Sequence, residues 1–229
     1  MNDTRRPQPW LELLITLVLP ALVLMQLSAP ERLGPVAALL LALAFPLGWG
    51  LRDFLTRRRL NIFAGLGLVS VLLTGGIGLL ELDTGWLAVK EAAVPGVLGL
   101  IVAGSALSRY PLVRVLLYTP ILLDTARIDA ALVQRGNQAA FDARLRTATW
   151  MLAGSFAFSA GMNFVLATWI VTSPAGTAAF NEELGRLTLL SYPMIALPAT
   201  LMMLAVLYYL SGGIKRLAGL SLGDVLHGT

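Results

Sequence analysis

Few side chains in this 229-residue chain are equipped for chemistry, and those that are lie within or beside long apolar runs. Lys90 and Glu91 come just after Trp86, where one such run begins. An ionisable side chain at membrane depth is costly and needs a partner or a function. On a helix, Lys90 stands about 6 Å inside its run. Its stem either reaches back to the surface or carries an ammonium held by a structural ion pair or an anionic ligand. Glu91 points about 100° away from Lys90 around the helix. The two are therefore expected to find separate partners: Asp83, Glu81 or a ligand for Lys90, and Asn163 or Arg186 for Glu91. Asn163 lies about 13 Å from the end of its own run and is the most central strongly polar side chain in the chain. It either hydrogen-bonds between helices or joins Lys90, Glu91 and Asp83 in an intramembrane polar site.

Other chemistries lack their residues. There is no Cys and a single His, His227 near the C-terminus, so thiol catalysis, disulfides and His/Cys metal sites have no donors. No Ser-His-Asp set, phosphate-binding glycine loop or metal-spaced cluster is present. No catalytic residue, cofactor or metal is expected, and the chain is read as non-enzymatic.

The elements that must position these side chains follow from hydropathy. Apolar residues make up 57% of the chain and charged residues 13%, a composition richer in apolar and poorer in charged residues than water-soluble domains. Six runs approach the roughly 20 residues that cross a bilayer core: 10–28, 33–51, 62–80, 86–107, 148–172 and 187–210. None alternates as a barrel strand does, and backbone groups in lipid must be satisfied within their own segment. The expected fold is all-α, a polytopic bundle of six transmembrane helices forming a single membrane domain.

Charge sets the orientation. Of the 17 Lys and Arg residues, fourteen fall on one side of a six-span arrangement. They are Arg5 and Arg6, Arg52 and Arg57 to Arg59, the six arginines of 108–147 with its borders, and Lys215 and Arg216. Arg32, Arg186 and Lys90 go to the other side, together with the acidic Glu31, Glu81, Asp83, Glu182 and Glu183. By the positive-inside rule both termini are cytoplasmic, in a bacterial inner membrane. Arg5-Arg6 before an apolar run also looks like a secretory signal, but the length of the run favours an uncleaved first span. The net charge of +4 is assigned to orientation rather than to nucleic acid. Gly50-Leu51-Arg52-Asp53 with Arg57-Arg58-Arg59 resembles the short basic loop of major-facilitator transporters, and is read as a generic positive-inside loop.

The cytoplasmic connection 108–147 reads as short amphipathic helices, one over 111–117 lying at the interface and one over 124–134. Gly136 serves as the helix stop, and Asn137 caps a further helix running into the fifth span. The loop 173–185 begins as a turn and ends in a short helix over 178–184. Ser70, Thr74 and Gly78 recur every four residues on the third run, Ala88, Ala92 and Gly96 on the fourth, and Ser155, Ser159 and Asn163 on the fifth. Such faces serve close helix packing or line a polar path. Pro20, Pro46, Pro95 and Pro198 fall inside predicted spans, where each removes a backbone hydrogen bond. Trp10-Leu11 with Pro20 faintly echoes Trp86-Leu87 with Pro95, a hint of two inverted halves.

Several stretches resemble the intracellular septation protein A family of bacterial inner-membrane proteins. Gly75-Gly76, Asp83 and Lys90 match its outer hairpin, Pro111-Leu112 with Leu117 its following segment, and Asn163 with Trp169 the end of its next span. The resemblance covers about 62–210. The connection 108–147 is longer here, and residues 1–60 match only as apolar spans. The resemblance implies a multi-pass protein of envelope or septum maintenance, with no established reaction or cofactor. The expected partners are membrane lipids, envelope-assembly proteins and a second copy of the chain. The competing expectation is a small transporter or flippase-like carrier with Lys90, Glu91, Asn163 and Asp83 around an outward-facing site.

Overall fold

The computed structural model describes residues 13–57, 62–119 and 123–225. Readings that rest on Arg5, Arg6, Trp10, Glu12, Arg58, Arg59 and His227 lie outside them. The described residues are all-α: α1 (Leu14–Leu27), α2 (Gly34–Arg57), α3 (Ile62–Leu79), α4 (Gly85–Ala106), α5 (Leu112–Leu116), α6 (Thr125–Gln134), α7 (Gln138–Ile170), α8 (Ala178–Ala218) and α9 (Leu222–Val225).

Four stretches are long and apolar enough to cross a membrane: Gly34–Arg52, α4, α7 and α8, with mean hydropathy from 1.4 to 1.8. In none of their apolar windows is more than 28% buried. Leu40, Leu72, Leu100, Leu201 and Leu204 are among many apolar side chains that face outward. A protein that folds in water rarely exposes large contiguous patches of such surface. The first and third predicted runs contribute the apolar helical stretches Leu14–Leu27 and Val69–Leu79 among the described residues.

One expected boundary holds and one is corrected. The helix expected to run from Asn137 into the fifth apolar run is found: α7 starts at Gln138, because the polar stretch ahead of 148 is built largely of Ala, Gln, Arg and Leu, good helix formers with no breaker. The sixth was to begin at 187 after a separate short helix. Instead the chain is helical from Ala178 to Ala218. Thr177 caps its start by accepting from the Phe180 N–H at 3.1 Å, and nothing after it ends the helix.

Wide π-turns interrupt the α-helical pattern at Leu14–Val18, Tyr192–Ala196 and Ile214–Ala218. The first two come immediately before Pro20 and Pro198. A proline lacks the N–H for the carbonyl four residues back and its ring crowds that carbonyl, so a wider turn relieves the clash. Pro46 and Pro95 lie inside α-helix.

The chain divides into two compact units. The first holds residues 1–92 and 162–194. In it α1 packs on α2 and on the first part of α8, and α2 packs on α3. Its core includes Ala21, Leu39, Leu87 and Phe180. Gly185 lets α8 approach the α1 backbone: a Cβ there would stand 2.8 Å from the Ala21 carbonyl oxygen. Beside this contact the buried Asn181 amide donates to the Pro35 carbonyl at 2.7 Å and to Ser28 Oγ at 3.1 Å.

The second unit holds residues 93–161 and 195–229. Its core gathers Val113 from α5, Ile128 and Leu132 from α6, Phe141 and Leu145 from α7, and Val206 and Ile214 from α8. The C-terminal Val225 is buried in the same cluster, held by the Asp124 N–H donating to its carbonyl at 2.7 Å. The amphipathic helices of the long connection therefore exist as read, with Val113, Ile128 and Leu132 buried against protein and Val115, Leu116 and Val133 exposed. Gly136 takes a φ of +65° at the end of α6, the left-handed stop its position predicts. Asn137 precedes α7, and its amide donates to the Leu217 carbonyl at 2.9 Å.

Candidate functional site

The polar cluster around Lys90 lies within the first unit, between α3 and the start of α4. The Lys90 ammonium donates to Thr74 Oγ1 at 2.7 Å and to Ser70 Oγ at 3.2 Å. It also pairs with Glu91 Oε1 at 2.7 Å. Thr74 in turn donates to the Ser70 carbonyl at 3.0 Å. The Lys90 side chain is 10% exposed and that of Glu91 29%. An ammonium has three N–H donors, and three acceptors surround this one.

This corrects the expectation of separate partners for Lys90 and Glu91. Adjacent Cα–Cβ bonds do diverge on a helix, but both side chains are long and flexible enough to swing into one groove. In a poorly hydrated setting the attraction between their charges exceeds the rotamer cost. The serine and threonine of the third run, noted in the sequence as a small-residue face, are the partners that were missed. Their spacing was the available signal, since residues four apart on a helix stack on one face.

The other expected members are placed differently. Asp83 is exposed, and its Oδ1 accepts from the Gly85 N–H at 2.7 Å, forming the turn that starts α4. Glu81 adopts a φ of +52° and packs its side chain against Gly176. Arg186 pairs with Glu182 one turn away at 2.5 Å. Asn163 is half-buried on α7 and has a polar partner. Ser155 and Ser159 each donate to a carbonyl one turn back on their own helix.

A second polar site had no sequence signal. In the second unit, Arg114, Asp129, Leu132, Gln138, Phe141 and Asp142 line a cavity of about 210 Å³. Arg114 pairs with Asp142 at 3.0 Å. Tyr118 donates to Asp129 at 2.9 Å and packs edge-on against Phe141, with ring centroids 5.3 Å apart. Burial, and then the bond to the carboxylate, push the Tyr118 hydroxyl far above the ordinary tyrosine range. Its residues come from three elements whose approach is set by the core beneath them. Among the described residues no group of His, Cys, Asp and Glu is arranged to hold a metal.

The class that fold and site define is an all-α chain with several helices able to cross a membrane and a satisfied ion pair that bonds one apolar helix to another. Compared with known proteins, the chain matches no family model, no curated protein and no solved structure.

Proposed function

We propose that the chain is a six-span protein of the bacterial inner membrane with both termini cytoplasmic, a non-enzymatic component of envelope or septum maintenance that acts through protein and lipid contacts. The resemblance of 62–210 to the septation family supports the envelope role. The observation that carries the choice over a carrier is the saturation of Lys90. Its donors are engaged by Ser70, Thr74 and Glu91, so a substrate would have to displace a complete set of bonds. A charge engaged in this way pins two helices together.

The test is complementation of a strain lacking the chain. The double substitution Lys90→Met with Glu91→Leu removes both charges and keeps the packing volume. It is expected to restore normal septation and envelope integrity at normal membrane abundance. Loss of function with normal abundance would favour the carrier, in which the charges touch substrate.

A further inference from the structure

Some cations of the second unit are engaged by the protein and others are not. Arg114 pairs with Asp142. Arg127 donates to the Asp224 carbonyl. Arg135 lays its guanidinium over Gly219. Arg144 stacks 3.8 Å from the Tyr209 ring centroid and donates twice to its carbonyl. Arg109, Arg146, Lys215 and Arg216, by contrast, are exposed and have no partner among the described residues. The four acidic residues of this unit are engaged elsewhere: Asp124 caps α6, Asp129 accepts from Tyr118, Asp142 holds Arg114 and Asp224 holds Ser221. Eight basic side chains stand against these four, so the unit carries uncompensated positive charge.

Three of these four cations, Arg109, Arg146 and Lys215, have an exposed aromatic beside them. Tyr110, 73% exposed, follows Arg109. Trp150, 49% exposed, lies one turn from Arg146 on the same face of α7. Tyr208, 81% exposed, lies two turns before Lys215 on the same face of α8. The register between α7 and α8 orders these side chains along one axis. Asn137 bonds Leu217 and Arg144 bonds Tyr209, so the helices run antiparallel and Arg146 lies level with Tyr208. In both helices the aromatic lies toward the apolar run and the cation beyond it, by about 6 Å in α7 and about 10 Å in α8. Tyrosine and tryptophan settle at the headgroup level. Cations beyond them meet the phosphates, and anionic lipid favours them by about fivefold per Lys or Arg at the surface.

We infer that Arg109, Arg146 and Lys215, with Tyr110, Trp150 and Tyr208, form a band that selects anionic phospholipid headgroups. This rests on the proposed membrane reading and adds to it a lipid class.

The full chain reconstituted in vesicles tests it, by quenching of its tryptophans with brominated phosphatidylglycerol against brominated phosphatidylcholine. The wild type is expected to associate with the anionic lipid at least about tenfold better at low salt, the preference shrinking as salt rises. The triple substitution Arg109→Gln, Arg146→Gln and Lys215→Gln is expected to remove most of the preference. A double substitution of engaged cations, Arg127→Gln with Arg135→Gln, is expected to keep most of it. An absent wild-type preference, or one that survives the triple substitution, overturns the inference while leaving the membrane reading intact. Release of the chain from membranes by alkaline carbonate without detergent overturns the membrane reading itself.

Discussion

Lys90 illustrates how an isolated charge becomes tolerable in an apolar helix pair. Removing one partner leaves the other with its desolvation cost and no attraction, so Lys90→Ala is expected to destabilise the chain by about 3 kcal/mol. Replacing both charges with apolar side chains, Lys90→Met with Glu91→Leu, is expected to recover most of that loss. Unfolding midpoints in mixed detergent check both, and equal losses in the single and double variants would show that the pair is not coupled. Tyr118 makes a prediction in pH. The folded state holds the phenol neutral beside Asp129, whereas an unfolded tyrosine ionises at about pH 10. The unfolded chain therefore releases protons first on alkaline titration. The stabilisation from Tyr118 is intact below about pH 10 and declines as pH rises beyond it. Denaturation midpoints across that range should fall more steeply for the wild type than for Tyr118→Phe, and parallel slopes would refute the assignment.

At the scale of elements, the packing of α1 against the first part of α8 depends on Gly185. A methyl group there meets the Ala21 backbone carbonyl, which cannot rotate away as a side chain does. Gly185→Ala is expected to cost more than about 1 kcal/mol by overpacking. Gly154, in the middle of α7, has open space around it: a methyl group added there meets nothing within 4 Å. Gly154→Ala is expected to stabilise by up to about 1 kcal/mol through helix propensity alone. Thermal midpoints of the two variants should move in opposite directions. The same contrast explains what was readable at this scale. Of the four prolines inside predicted spans, Pro20 and Pro198 follow widened turns while Pro46 and Pro95 sit in regular α-helix, and Gly136 marked the end of α6. The full length of α8 was misjudged because hydropathy reports where a helix enters lipid and says nothing of where its hydrogen bonding begins.

At the scale of the whole molecule, the proposed topology makes a prediction independent of any site. Fusions of a reporter at Gly136 are expected to stay cytoplasmic and fusions at Asp83 to be exported, with the fusion at Gly136 active only as a cytoplasmic reporter. An exported signal from Gly136 would invert the arrangement and remove the cytoplasmic setting of the lipid-binding band. The second unit gives this region a packed core of its own, in which Val225 and the helices of the long connection are buried together.

The sequence by itself determined the helical class, the apolar runs, the clustering of arginines between those runs and most helix boundaries within the long connection. These follow from local and additive properties: hydropathy summed along a run, side-chain propensity, and caps and stops read from one or two residues. Tertiary structure decided the partners. Lys90 and Glu91 share one groove with Ser70 and Thr74, Asp83 closes its own turn, and Tyr118 meets Asp129 beside a cavity drawn from three helices. Such pairings depend on which helix faces approach and on the reach of flexible side chains, and neither is encoded in the spacing of residues along one helix.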